Sequence, residues 1–389
     1  MTGPFANLPQ RFIQSIKDTR VHYRRLGGLL VSNPIMGCMG IGNPAWWNWV
    51  LDQEKALPLL RAAFDAGINT FDTANVYSNG ASESLIGQAL RKYEIPRRKV
   101  VLMTKVGRVM ADGHDEGIPF MTREASQSKD HVNQFGKKVQ GIFDIQTTES
   151  APLTSPSWYQ NPIGLSRNSI FECVDRSLSR LGTNYIDVLH IHRYDPFTPP
   201  EETMKALHDL VTMGKVRYLG ASSMWAYQLA TLQFTAQKNG WTKFVSMQNH
   251  YNLLYREEER EMNKFCKENN IGLLPWAPLA SGHLACMPKA YGTSARTADD
   301  SNNPRFSYGQ SEADREIINR VAILATKKNW SMTDVSLAWI NKRCTAPIIG
   351  FSSVARIEAA LSAQGKELSD EEEAFLEEPY VSKPIEGHT

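Results

Sequence analysis

A chain of 389 residues with a formal net charge of +2 and 22% charged residues presents no basic field for a nucleic acid or an anionic membrane surface. Its 42% hydrophobic content suits a soluble α/β-sized core, and no apolar run reaches the length of a membrane span. The N-terminus lacks the basic-then-apolar layout of a secretory signal, and Cys38, Cys173, Cys266, Cys286 and Cys344 are odd in number and scattered, which reads as reduced thiols in a cytoplasmic protein rather than a disulfide framework or zinc site.

Residues 1–20 precede any regular pattern and form an N-terminal extension. From there short apolar runs alternate with longer amphipathic stretches. The candidate strands are Pro34–Met39, Ile68–Asp72, Val100–Lys105, Tyr185–His192, Val216–Gly220, Phe244–Gln248, Ile271–Trp276 and Ala346–Gly350. Helical patterns separate them. Ser166 reads as an N-cap, with Ile170, Val174, Leu178 and Leu181 at helical spacing and Gly182 as the stop. Thr198-Pro199-Pro200-Glu201 reads as a capping box with proline at the first helical position, followed by an inward stripe of Met204, Leu207 and Val211. Ser331 to Asp334 opens a helix through Val335, Ala338 and Trp339. Strand–helix alternation implies right-handed crossovers and a parallel sheet; eight units predict a closed (β/α)8 TIM barrel with long loops at one face, in a single domain over residues 21–389. Residues 108–164 break the alternation as an irregular insertion after the third strand, and residues 286–310 do so again. The first of these reads equally as a substrate lid or as a surface insertion.

Such barrels build their sites at the C-terminal ends of the strands. Asp72 ends the second candidate strand, Lys105 the third and His192 the fourth, and Tyr77 lies five residues beyond Asp72 in the loop that follows. Three ionisable residues on consecutive strand ends converge on one mouth. A free phenol, with a pKa of about 10, donates a proton reluctantly at neutral pH. A neighbouring ammonium favours the phenolate, and Lys105 can supply it, with Asp72 keeping the lysine charged. His192 can orient or polarise a carbonyl. The set describes a proton donor matched to a developing alkoxide, which is half of a carbonyl reduction; the other half is a hydride source, which no side chain provides, so a nicotinamide cofactor is implied. Trp46, Trp47 and Trp49 follow the first strand at the same end and read either as the lining of a pocket for a flat or aromatic carbonyl compound or as helix packing. Two other chemistries use the same residues. His190 and His192 form an HxH pair that can bind metal in a barrel hydrolase, although the further ligands are not at obvious strand ends. Lys105 could form a Schiff base. No metal is called for by the rest of the set.

The segments INTFDTANVYSNGASESLIGQAL, MTKVG and LGTNYIDVLHIHRYD, followed by GKVRYLGASSMWAYQLA, VSMQNHYNLLYREEEREM and LPWAPLASGHLA, resemble the aldo-keto reductase family in order over nearly all of residues 21–384. The likeness is greatest to its fungal branch of versiconal hemiacetal acetate reductase-like and aryl-alcohol dehydrogenase-like proteins. That resemblance implies a (β/α)8 barrel that reduces aldehydes or ketones with NADPH, reversibly. It identifies Asp72, Tyr77, Lys105 and His192, rather than His190, as the catalytic positions. It further implies that Ser222 and Gln248, with Ser223 and Asn249 close by, hold the nicotinamide carboxamide. Trp276 would stack on the nicotinamide. Pro278, Leu279, Gly282 and Leu284 would surround the pyrophosphate, and Gly350, Ser352 and Arg356 would grip the adenosine and its 2′-phosphate. A guanidinium forks well onto a phosphate, so Arg356 motivates NADP over NAD. Ala359 and Ala360 depart from the family's polar residues near the adenine. Some relatives of the family are cofactor-binding regulatory subunits with little turnover, which is the remaining alternative. GCMGIG has the wrong order for a Rossmann fingerprint. The expected partner is a small carbonyl compound, with no nucleic acid and no membrane; oligomeric state has no signature in the sequence.

Overall fold

The alternation resolves into a parallel sheet of eight strands in the computed structural model, which describes residues 20–108, 110, 164–302, 306 and 308–388. The N-terminal extension and nearly all of the 108–164 insertion lie outside the described residues. The strands are β1 (His22–Leu26), β2 (Leu29–Asn33), β3 (Ile35–Gly37), β4 (Thr70–Asp72), β5 (Val101–Val106), β6 (Ile186–Ile191), β7 (Val216–Ser222), β8 (Phe244–Gln248), β9 (Gly272–Leu273) and β10 (Ile348–Gly350). The helices are α1 (Gln53–Asp65), α2 (Ala81–Lys92), α3 (Arg167–Leu181), α4 (Pro200–Thr212), α5 (Ala226–Lys238), α6 (Met262–Glu268), α7 (Ala295–Asn302), α8 (Glu312–Lys328), α9 (Met332–Asn341), α10 (Val354–Leu361) and α11 (Asp370–Glu377).

The sheet runs β10-β3-β4-β5-β6-β7-β8-β9, all pairs parallel. Its two edges meet through Thr345 N donating to Leu273 O at 2.9 Å and Ile348 N donating to Pro275 O at 2.8 Å, so the sheet closes as a (β/α)8 barrel. Every residue of β5 and β6 is buried. Helices cover one face and the barrel interior the other, which is why these strands read as continuous apolar runs and not as alternations. All eight candidate strands overlap barrel strands.

The local chemistry that starts the helices is largely as the sequence predicts. Ser166 accepts from Ser169 N at 3.2 Å, and Gly182 ends α3 at φ 63. Ser331 and Asp334 form a reciprocal capping box, with Ser331 Oγ accepting from Asp334 N at 3.0 Å and Asp334 Oδ2 from Ser331 N at 2.9 Å. The box expected at Thr198 does not form: Pro199 is the cap, and the Thr198 hydroxyl donates instead to Asp195 Oδ2 at 2.7 Å. Asp195 stands close in sequence and, as a charged acceptor, takes the hydroxyl. Pro200 does occupy the first helical position.

One element has no counterpart in the sequence reading. β1 and β2 form an antiparallel hairpin around Gly27-Gly28, with Gly27 at φ 58. Leu26 and Val31 pack against Val101, Met103, Val188, Leu274, Ala346 and Ile348, so the hairpin seals the barrel's N-terminal end. A Cβ at Gly28 would stand 2.6 Å from Tyr218 Oη, which fixes glycine there. With this end plugged, the open mouth is at the C-terminal ends of the strands. Among the described residues no helix is long and apolar enough to cross a membrane.

Candidate active site

β4, β5 and β6 are neighbours in the sheet, and their C-terminal ends bring Asp72, Lys105 and His192 together. Lys105 is almost wholly buried, at 2% exposure. Its ammonium has three protons and no lone pair, so it needs three acceptors. It finds Asp72 Oδ2 at 2.6 Å, Thr73 O at 2.8 Å and Tyr77 Oη at 3.2 Å. Burial pulls its pKa down, but the Asp72 carboxylate and the Tyr77 oxygen outweigh this and hold it above the ordinary lysine value. Because Lys105 can only donate, the Tyr77 oxygen accepts, and the phenolic proton is left to point elsewhere. Tyr77 is presented by a tight turn in which Ser78 (φ 47) and Asn79 (φ 50) are left-handed ahead of Gly80.

His192 follows β6 directly and donates its backbone N–H to Val106 O at 2.9 Å. Its ring meets Tyr77 edge-on, with centroids 5.9 Å apart. Burial, then the charges of Arg108, Arg193 and Lys105, push its pKa well below the usual histidine range, so the imidazole is neutral at pH 7. Its Nδ1 is buried with no partner. His190 lies deeper, its Nε2 2.9 Å from Ser246 Oγ, and is likewise neutral through burial first and Lys105 second. Gly220 makes room for that ring, since a Cβ there would come within 2.3 Å of His190 Cδ2. No group of three or more potential metal ligands gathers among the described residues.

The residues expected around a nicotinamide line the same mouth on β7 and β8. Gln248 Nε2 donates to Asp72 Oδ1 at 2.6 Å, which leaves its carbonyl oxygen as an acceptor facing the mouth. Ser222 Oγ and Ser223 Oγ both donate to Gln248 O, at 3.1 and 3.4 Å. Asn249 Oδ1 is buried without a partner, an acceptor suited to an amide N–H. Trp276 is tied to Ser223 Oγ through its indole N–H at 3.0 Å, and it stacks on His250 at 4.3 Å between centroids. Gly387, near the C-terminus, lies against this indole.

Beyond Trp276 the backbone is strained in one place. Ala277 (φ 52), Ala280 (φ 47) and Ser281 (φ 53) are left-handed, as is Gly282 at φ 105. Clustered outliers of this kind mark ligand-cradling segments. Pro278 is buried and Leu279 partly so, while the Leu284 side chain is wholly in the core and its carbonyl accepts from Ser336 Oγ at 2.9 Å. Leu284 therefore supports the loop from behind. Gly350, Ser352 and Arg356 are exposed together after β10. Arg296 of α7 approaches them, its Nη1 3.5 Å from where a Gly350 Cβ would be. Burial first, and Arg356 among its neighbours, lower the Arg296 pKa. Neither guanidinium has an ion-pair partner among the described residues, although Asp300 acts electrostatically on Arg296, and two neighbouring cations suit an anion. The residues present thus fit a phosphorylated nicotinamide dinucleotide. Of the two alanines, Ala360 is a core residue and Ala359 is exposed.

The three tryptophans divide. Trp46 stacks on Trp47 at 4.0 Å and lies 6.1 Å from Tyr77, and Trp47 stacks on Trp49 at 5.3 Å. Trp49 turns away from Tyr77: its N–H donates to Asp299 at 3.2 Å and Arg296 lies over its ring at 4.7 Å. Sequence reasoning passed over Arg193, Glu258 and Arg296. Arg193 had a signal, being the residue immediately after a strand-end histidine. Glu258 sits in the run Arg256 to Arg260, which reads as a solvated surface, and Arg296 lies in an aperiodic loop.

A model described as the Aldo/keto reductase family matches residues 35–380. An aldo-keto reductase of Fusarium vanettenii is 53% identical over 388 residues, 98% of this chain and 97% of its own length. Versiconal hemiacetal acetate reductase of Aspergillus parasiticus is 44% identical over 368 residues, 94% of this chain and 98% of its own. A putative aryl-alcohol dehydrogenase of Schizosaccharomyces pombe is 45% identical over 363 residues, 92% and 95% of the two chains.

Proposed function

The chain belongs to the aldo/keto reductase family and is an oxidoreductase of carbonyl compounds; from that premise we propose that it reduces an aldehyde or ketone with NADPH, with Tyr77 as the proton donor. The observation that carries this reading is the Lys105 ammonium, whose three donors are spent on Asp72, Thr73 and Tyr77. With its oxygen accepting from Lys105, Tyr77 is left to donate its proton into the mouth. When bound, the reduced nicotinamide supplies the hydride. Tyr77 delivers the proton to the carbonyl oxygen, and Lys105 stabilises the charge left on the phenol oxygen. Asp72 balances Lys105 and is itself fixed by Gln248. Neutral His192 hydrogen-bonds the carbonyl oxygen and so sets its orientation.

Ser222, Ser223, Gln248, Asn249 and Trp276 would hold the nicotinamide end, and the backbone around Pro278, Leu279 and Gly282 the pyrophosphate. Arg356 together with Arg296 would take the 2′-phosphate, which supports NADP over NAD. Trp46 and Trp47 beside Tyr77 favour an apolar or aromatic substrate, and the carbonyl and alcohol chemistry in the relatives' names points the same way. All five cysteines are free, which suits a reducing, cytoplasmic setting.

The test is consumption of NADPH and of NADH, followed by absorbance of the reduced nicotinamide, over a panel of aldehydes and ketones. Carbonyl-dependent oxidation with preference for NADPH is expected. Tight NADPH binding with no carbonyl-dependent oxidation would overturn the reading in favour of a cofactor-binding subunit.

A further inference from the structure

Arg193 is the feature of the mouth that the reduction does not use. It follows His192 at the end of β6, and its side chain is half-buried, with Nε fully buried. Nη1 donates to His192 O at 2.5 Å and weakly to Ser222 Oγ at 3.4 Å. Nε is buried with no partner, and Nη2 has none among the described residues. Nε and Nη2 make up one edge of the guanidinium, the edge that receives a carboxylate through two parallel hydrogen bonds. Among the described residues no carboxylate forms an ion pair with it. A buried guanidinium N–H left without an acceptor is costly, so this edge suits an anion that arrives from outside.

The described residues around it do not supply that anion. Asp72 is bound to Lys105 and Gln248. Glu258 feels the Arg193 charge, but burial and the neighbouring Glu257 hold its pKa up to about 8, so it is largely protonated at neutral pH. His250 and His388 also feel Arg193, and both are neutral, chiefly through burial. Tyr77 interacts electrostatically with Arg193, so the guanidinium and the proton donor share the mouth. The nicotinamide carboxamide is neutral, and Ser222, Gln248 and Asn249 already offer it partners, so it has no need of a full positive charge.

On the reductase reading above, we infer that Arg193 anchors a carboxylate of the substrate, making the preferred substrate class an oxo acid whose carboxylate lies one or two carbons from the reacting carbonyl. Trp46, stacked toward Tyr77, and Trp225, edge-on to His388 at 4.9 Å, leave the rest of the molecule an apolar setting. The reaction balances as an ordinary reduction: hydride to the carbonyl carbon, proton from Tyr77 to the oxygen, with the carboxylate unchanged.

The experiment compares phenylpyruvate, its methyl ester and phenylacetaldehyde as substrates for the wild type, Arg193→Met and Arg193→Lys, with NADPH affinity measured by nucleotide fluorescence. Wild-type kcat/KM for the acid should exceed that for the ester on the order of 100-fold, the worth of a charge-assisted hydrogen-bond pair. Arg193→Met should collapse that ratio, chiefly through KM, and Arg193→Lys should restore part of it. Phenylpropionate should inhibit the wild type competitively and phenylpropionamide should not, which tests the idea even if the methionine variant fails to fold. An acid-to-ester ratio near one in the wild type, a ratio that survives in Arg193→Met, equal inhibition by acid and amide, or a loss confined to NADPH affinity overturns the inference. Reduction of the aldehyde and ester alone would sink the oxo-acid class and leave the reductase standing, whereas no reduction of any carbonyl would sink both.

Discussion

Replacing Tyr77 by phenylalanine removes one oxygen and keeps the ring. The ring's contacts, 6.1 Å to Trp46 and 5.9 Å to His192 between centroids, do not depend on the hydroxyl, so the shape of the mouth is preserved. Two things are lost: the proton donor and the third acceptor of Lys105, at 3.2 Å. They fall on different observables. A positioned general acid contributes on the order of 10²–10⁴-fold to the chemical step, or about 3–5 kcal/mol at roughly 1.4 kcal/mol per decade. The ammonium keeps Asp72 at 2.6 Å and Thr73 O at 2.8 Å, so folding loses only about 1–3 kcal/mol for one stranded donor, less if water replaces the phenol oxygen. Neither loss touches the residues expected to hold the cofactor. The assay is a single turnover with NADPH bound in advance, read from the reduced nicotinamide, alongside denaturant unfolding and nucleotide fluorescence. The expected result is a kcat at least about 100-fold lower, with NADPH affinity retained. A kcat within about tenfold of wild type would remove Tyr77 as the donor, and a parallel collapse of NADPH affinity would mean the residue serves binding.

Lys105→Met should destabilise the fold by about 3–5 kcal/mol, because it leaves the buried Asp72 carboxylate with only Gln248; denaturant unfolding of this variant against Asp72→Asn/Lys105→Met, which removes both charges and should recover part of the loss, checks it. Arg356→Ala and Arg296→Ala should each weaken NADPH on the order of 10–100-fold and NADH far less; equal effects on the two cofactors would remove them from the 2′-phosphate. Stability should fall in mild acid. His190, His192 and His250 lie well below their usual range and His388 is pulled down to about 4, in each case by burial first. Their unfolded forms take up protons below about pH 6.5 while the folded forms refuse them, so stability rises with pH across that window. Glu258, held up to about 8 by burial, has the opposite sign, since the folded chain keeps a proton that the unfolded chain releases. Four protons less one leaves a slope of up to about 4 kcal/mol per pH unit between about pH 5 and 6.5. A flat dependence of the unfolding midpoint over that range would contradict the burial of these imidazoles.

What was legible in the sequence was what local chemistry decides. Ser166, Gly182 and the Ser331–Asp334 box start and stop helices through hydrogen bonds a few residues long, and both ends of the argument lie in one stretch of chain. Thr198 has the same signature, but Asp195 competes for its hydroxyl and wins. The hairpin of β1 and β2 was missed because His22 to Arg25 are exposed and carry no apolar alternation; the signal was the Gly27-Gly28 pair between two leucines. The grouping of Asp72, Lys105 and His192 was legible for a topological reason. A closed barrel brings successive strand ends side by side, so Asp72, Lys105 and His192 needed only the correct strand assignment to become neighbours. Arg296 had no such route, because α7 belongs to a loop whose position depends on contacts with Trp49 and Asp299, the latter within the same loop.

The near-neutral charge of the whole chain also conceals a mouth where cations gather. Arg108, Arg193 and Lys105 all act on His192. Burial decides which acids can oppose the charge on Arg193. Asp72 is committed to Lys105. Glu258 acts on Arg193 electrostatically but forms no ion pair with it. Desolvation and Glu257 keep it largely protonated instead. The selectivity proposed for an oxo acid therefore rests on the open Nε edge of Arg193, and the burial of Glu258 helps leave that charge for a substrate carboxylate.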